Sequence, residues 1–338
     1  MKKALLTILQ YVIFLGLGIW LVYYTLHKLK PDEMQQLKAA ILSINPWYLI
    51  PIFIVGFFSH FFRAVRWRYL LETTGSKPTL MNTTLAVLIG YITNLLLPRA
   101  GEVAKCTVLA KYEKMPAHKM IGTIVAERAF DIFCLLVIAV IAFLLQITVI
   151  SGYLAGMKHG FKVYIHNNQT ILLIILAIVA ILIVAAIVVY RRNRETKVGR
   201  FIKELAHGVL SIFHMKKRWK FIGYTVLIWL MYLMQIFIGL KCLSATHDLT
   251  ILSALVVLVY GSVGMIITQG GIGAYPLMVS QMLAVYGIAD IPALAFGWIA
   301  WSVQTGIIIV LGLVALLSIH SYNKRRNAQA AVDTTQDI

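Results

Sequence analysis

Four short stretches of this sequence hold residue types able to handle a charged ligand. In R-A-V-R-W-R, Arg63 and Arg66 stand three apart and so share a helix face. In N-L-L-L-P-R-A-G-E, which runs from Asn94 to Glu102, Arg99 and Glu102 flank Gly101. In E-R-A-F-D, Glu127 and Asp131 stand four apart with Arg128 adjoining. The fourth stretch, Q-G-G-I-G, has no charge, only Gln269 and the glycines Gly270, Gly271 and Gly273. An arginine's planar fork binds two oxygens at once, which suits a phosphate. Glu102 could hold Arg99 in place, take a proton or meet a cationic headgroup. Pro98 and Gly101 would let the backbone turn and leave amides for an anion. The later glycines permit close backbone approach or a positive φ.

Each stretch also has a plainer reading. Arg63, Arg66 and Trp67 fit a positive anchor with an interfacial tryptophan at the end of a span. Arg99 and Glu102 fit a snorkelling pair on a helix end. Glu127 and Asp131 fit acidic residues favoured by the dipole at a helix N-terminus. The functional reading gains from company: Arg99, Glu102, Glu127, Arg128 and Asp131 fall on two consecutive elements of an apolar chain. A charge near the centre of a bilayer costs roughly 2.5–3.5 kcal/mol on insertion scales and marks a functional site by default.

The elements that must position these residues are membrane helices. Of 338 residues 60% are hydrophobic and 13% charged, against about 45–50% and about 25% for a soluble domain. That excludes a water-soluble enzyme. Apolar segments run over 4–26, 47–62, 80–98, 129–150, 170–190, 221–240, 249–268, 276–288 and 292–319, and the longer ones can span a bilayer. The first is too long for a secretory signal and has Trp20, Tyr23 and Tyr24 where a cleavage site would need small residues. No polar region between segments is large enough to fold alone. The chain therefore reads as one transmembrane domain, 1–320, with halves of about 1–150 and 170–320 and a polar cytoplasmic tail over 321–338.

Lysine and arginine placement decides the topology. Eight plain crossings would leave 12 of these residues inside and 19 outside, inverting the positive-inside rule. If segments 80–109 and 249–288 are instead hairpins that return to their own side, 24 lie inside and six outside, with Arg99 alone at a hairpin tip. The predicted fold is thus an all-α polytopic membrane protein: about eight hydrophobic segments, read as six full spans plus two re-entrant hairpins in an inverted repeat. Paired Gly/Pro-interrupted segments in two inverted halves point to a transporter binding site. Amphipathic helices are expected before spans two and five, over 34–44 and 201–213. Both termini are placed in the cytoplasm. Gln304 is a candidate partner for Gln269.

Other chemistry is absent from the pattern. Three cysteines give no disulfide framework or zinc spacing, and the nine histidines form no His-Glu-x-x-His. There is no P-loop and no G-x-G-x-x-G. No cofactor and no metal site is expected. The formal charge of +18 is read as a topology record rather than a nucleic-acid footprint.

Taken in order, the four stretches resemble the lysylphosphatidylglycerol synthase transmembrane (flippase-like) family over nearly the whole chain. The resemblance implies a membrane region that moves phospholipid, often aminoacylated, between leaflets. Bifunctional members carry a soluble aminoacyl-transferase domain after the membrane part; this chain ends in a short polar tail, so synthase activity is not expected. Gln269 stands where the family often has proline and Tyr275 where an acidic residue often follows the glycines, so no second carboxylate is carried over.

The function expected is a lipid translocator of a bacterial inner membrane, with anionic or aminoacylated phospholipid as partner and homo-oligomerisation left open. The headgroup set is Arg99, Glu102, Gly101, Asn94, Glu127, Arg128, Asp131, Arg63 and Arg66, with Gln269, Gly270, Gly271 and Gly273 in the second hairpin. The rival is an intramembrane enzyme acting on lipid or isoprenoid-phosphate headgroups through the same carboxylates. A third reading is an accessory subunit whose basic face binds a partner.

Overall fold

The structure is a computed structural model and describes residues 2–97, 100–147, 149, 210 and 212–336. Its regular elements are helical, and the chain is an all-α polytopic membrane protein. In chain order α1 is Lys2–His27, α2 Pro31–Leu42, α3 Leu49–Glu72, α4 Leu80–Leu96 and α5 Ala100–Glu113. Then follow α6 Ala117–Leu145, α7 Arg218–Leu240, α8 Ile251–Ile267, α9 Ala274–Val285 and α10 Asp290–Gln336. The expected span over 170–190 and nearly all of the amphipathic segment over 201–213 lie outside the described residues.

Length separates two kinds of helix. At about 1.5 Å per residue, α3, α6 and α7 are about 35–44 Å long and can cross a hydrocarbon core of about 30 Å. The α4 and α8 helices have 17 residues each, about 25 Å, and α5 and α9 are shorter still. These four form the two expected hairpins. They begin alike: Thr79 caps α4 by accepting from the Asn82 amide, and Thr250 caps α8 by accepting from the Ser253 amide. They also break alike, at extended residues, Leu97 and Thr268. Leu97 precedes Pro98 in the sequence, and a residue before proline is steered out of the helical region.

The hairpins enter from opposite ends of the bundle. The first closes at its base where Glu113 Oε1 accepts from Thr79 Oγ1 (2.6 Å), Asn82 Nδ2 (2.5 Å) and Arg326 Nη1 (2.8 Å). Asn82 also exchanges hydrogen bonds with Asn323. The base of the second packs Val279 and Leu283 with Leu240, Leu243 and Ala293. Residues 293 and 323 lie on the same helix, α10, about 45 Å apart along its axis. Between the bases the tips touch. Gln269 Nε2 donates to the Asn94 carbonyl, and Gly270 sits against Leu95. Trp301 Nε1 of α10 braces that tip by donating to the Gly270 carbonyl (2.8 Å).

Several boundaries differ from the sequence reading. The span predicted from residue 129 starts at Ala117, because the polar stretch ahead of it is helical as well. The last span runs on as helix through Gln336, so the polar tail continues α10. The predicted amphipathic helix over 34–44 is α2, Pro31–Leu42, and its apolar face is not left to the interface alone: Leu37 is buried beside Leu294 and Ala295 of α10.

Candidate functional site

The site begins with two complementary spacings. Arg63 and Arg66 share one face of α3, and Glu127 and Asp131 share one face of α6. Facing each other, they interlock. Arg66 reaches Glu127 Oε1 (3.0 Å) through Nη2 and Asp131 Oδ1 (2.7 Å) through Nη1, while Arg63 Nη2 reaches Asp131 Oδ2 (2.8 Å). The Arg66 and Glu127 side chains are 0% and 1% exposed. Two buried charges tolerate that burial only when each is paired and hydrogen-bonded. Thr225 of α7 lies 3.3 Å from Arg66 Nη1 and accepts a further bond.

The first hairpin inserts two more charges. Lys105 Nζ bridges Glu102 Oε2 (2.9 Å) on its own helix and Glu127 Oε2 (3.2 Å) on α6. It also lies 4.4 Å from the centre of the Trp67 ring, a cation–π contact. Glu102 Oε1 accepts from both Nε and Nη2 of Arg128. Four cations and three carboxylates thus form one network across α3, α5 and α6.

Close backbone approach is what lets α5 carry Lys105 inward. Gly101 lies against Gly90 of α4, where a Cβ would overlap the Gly90 carbonyl oxygen. The Gly101 amide donates to Asn94 Oδ1 (2.8 Å). That amide is therefore not open to an anion as the sequence suggested, and Gly101 serves contact rather than a turn. In the second tip Gly270, Gly271 and Gly273 have φ of +59°, +74° and +71°, a backbone that side chains strain.

Other expectations need correction. Trp67 is fully buried and donates to Thr123 Oγ1 (3.0 Å), so neither it nor Arg66 is an interfacial anchor. Glu127 lies three turns inside α6, beyond reach of the dipole at its N-terminus. Gln269 does not pair with Gln304: it bonds to Asn94, and Gln304 accepts from Gln235 Nε2 (2.8 Å). Glu102 pairs with Lys105 and Arg128, while Arg99 lies outside the described residues. Sequence reasoning passed over Lys105, counting it only as a topology marker, although it stands three residues from Glu102. It also passed over His60, for which a lone histidine among phenylalanines gave no signal.

A cavity of about 520 Å³ adjoins the network. Arg63, Arg128, Asp131, His60 and Tyr232 form its polar end, and Gln235 and Gln304 line it too. Much of the remaining wall is apolar, with Leu135, Leu258, Phe296 and Ile308. The lining extends to Ile132 of α6 and Ile266 of α8, which are 42% and 67% exposed. No group of three metal-ligating side chains occurs among the described residues.

A charged network walled by helices, with two inverted hairpins meeting over it, runs through residues that one family model spans. The model of the lysylphosphatidylglycerol synthase transmembrane region matches residues 7–319. The chain belongs to that family. Across it the chain is also similar to a UPF0104 membrane protein of Methanocaldococcus jannaschii, 23% identical over 310 residues, or 85% of this chain and 89% of the relative. No solved structure matches. Membership and apolar helices together make this a multi-pass membrane protein of the lysylphosphatidylglycerol synthase transmembrane family.

Proposed function

We propose that this chain carries a phospholipid or related lipid phosphate from one leaflet of a bacterial inner membrane to the other. The observation that carries the reading is the shape of the cavity's chemistry: guanidinium groups at one end, apolar walls, and a rim at exposed Ile132 and Ile266. A phosphate headgroup would lodge at Arg63 and Arg128 while its acyl chains stay in the bilayer. The hairpin tips then lie where access from the two sides must be exchanged. The placement of 24 basic residues on one side favours cytoplasmic termini. With no nucleotide motif in the sequence, the motion is downhill or coupled to an ion gradient.

The rival enzyme reading needs a carboxylate able to take a proton. Each of the three is held by at least two cations, which favours a structural and electrostatic role. The test is the initial rate at which an acyl-labelled fluorescent phospholipid becomes accessible to a membrane-impermeant quencher in liposomes holding the purified chain. A rate well above protein-free vesicles, with the lipid unchanged by mass spectrometry, is expected. A rate equal to protein-free vesicles sinks transport, and a chemically altered lipid favours the enzyme.

A further inference from the structure

The network is lopsided in what it leaves over. All six carboxylate oxygens of Glu102, Glu127 and Asp131 have a cation nitrogen within 3.2 Å. The cations are not used up in the same way. Arg63 Nε is buried with no hydrogen-bond partner among the described residues. Arg128 spends both Nε and Nη2 on one oxygen of Glu102; its side chain is 41% exposed, and it lines the cavity. Positive charge is in surplus here, four cations against three carboxylates, although Glu102 Oε2, ion-paired with Lys105, also has no hydrogen-bond partner among the described residues.

One turn before Arg63 on the same helix, His60 supplies a second observation. It lines the cavity at 3% exposure, and among the described residues neither ring nitrogen has a partner. A polar group buried without a partner is costly, of order 1–3 kcal/mol from mutational data. An imidazole in its neutral form offers one donor and one acceptor, which matches a hydroxyl that both accepts and donates. Gln304, on the same cavity wall, adds an amide.

We infer that the cavity selects an anionic lipid phosphate whose headgroup carries hydroxyls, and turns away headgroups bearing an ammonium group. The phosphate meets Arg63 and Arg128, and the hydroxyls meet His60. An ammonium group would find every carboxylate already ion-paired, Asp131 on the cavity wall included, and would sit beside four cations facing only three anions, where like charge repels it. This selectivity rests on the transport reading for its biological use but concerns binding alone. It also separates this chain from the aminoacylated lipid in its family's name.

The test is competition binding with the purified full chain in detergent micelles. An acyl-labelled phosphatidylglycerol is displaced by unlabelled phosphatidylglycerol, its lysyl ester or phosphatidylcholine. Phosphatidylglycerol should compete at least tenfold better than the lysyl ester and better than phosphatidylcholine. Arg128→Gln should weaken phosphatidylglycerol at least fivefold and narrow the preference. His60→Leu should weaken phosphatidylglycerol while leaving a headgroup without hydroxyls unchanged. Equal or tighter binding of the lysyl ester overturns the inference, as does an affinity untouched in both variants or no saturable binding of any lipid. Selective binding without translocation would defeat the transport reading and leave this one standing; translocation together with equal binding of phosphatidylglycerol and its lysyl ester would do the reverse.

Discussion

The two hairpins share a plan and differ in chemistry. Both start at a threonine cap, run 17 residues, break at an extended residue and return as a shorter helix. The first brings Glu102 and Lys105 into a network with α3 and α6. The second brings no charge: its return helix buries Tyr275 against α8 and leaves the tip to backbone carbonyls and glycines. A duplicated scaffold thus carries ionic chemistry on one arm and shape on the other. Charge in a membrane interior needs partners nearby, and α3 and α6 supply them only to the first arm.

The largest effect expected comes from breaking that partnership. Glu127→Ala would leave Arg66 and Lys105 buried beside a missing anion, and losing one partner of a buried pair costs about 3–5 kcal/mol. The protein should lose its thermal transition in detergent or aggregate on extraction. A melting temperature within a degree of the parent would mean that the network is not holding α3, α5 and α6 together.

Gly101→Ala comes next, at roughly 1–3 kcal/mol, the usual cost of forcing atoms into a packed contact. Its counterpart Gly270→Ala meets only Leu95 at 3.5 Å and suffers from a φ of +59°, at about 1–2 kcal/mol. The first hairpin should therefore be the more sensitive of the two, as read by melting temperatures measured side by side. The reverse order would show that the second tip is the tighter structure.

Much of the fold was legible because membrane physics writes it coarsely. Apolar runs set the spans, and basic residues set which segments must turn back. Proline and glycine marked both tips. The site was only half legible. Glu127, Asp131, Arg63 and Arg66 stood out as charges with helical spacing, but pairing across helices depends on rotation about each axis, which spacing alone does not fix. Hence Arg66 looked like an interfacial anchor and is a buried tie. Lys105 was invisible for the same reason: a lysine counted toward topology does not announce that Gly90 and Gly101 let it reach Glu127.

A smaller effect is expected where the hairpins touch. Gln269→Leu removes a side-chain bond to Asn94, worth about 0.5–1.5 kcal/mol, so stability should barely move while translocation slows a few-fold. An unchanged rate would mean that tip contact plays no part in the exchange of access.

The smallest concerns the aqueous base of the first hairpin. Burial would raise the Glu113 carboxyl, yet hydrogen bonds from Thr79, Asn82 and Arg326 outweigh it and hold it below the usual glutamate range. A depressed carboxyl stabilises fully above its unfolded value, about 4.3, and that contribution fades as pH falls through the lower folded value. The melting-temperature gap between the parent and Glu113→Gln should be constant from pH 8 to 6 and shrink below pH 4. A gap that widens on acidification would reverse the assignment.

Arg128 of α6, tied to the charged hairpin through Glu102, is the group proposed to draw the lipid phosphate across. The most direct measurement compares initial translocation rates of acyl-labelled phosphatidylglycerol for the parent and Arg128→Gln, reconstituted at equal protein-to-lipid ratio. Arg128 is partly exposed and a glutamine keeps a donor for Glu102, so the variant should still fold, with a melting temperature lowered far less than in Glu127→Ala. Its rate is predicted to fall at least tenfold. Equal rates in two folded proteins would mean that Arg128 plays no part in moving the phosphate.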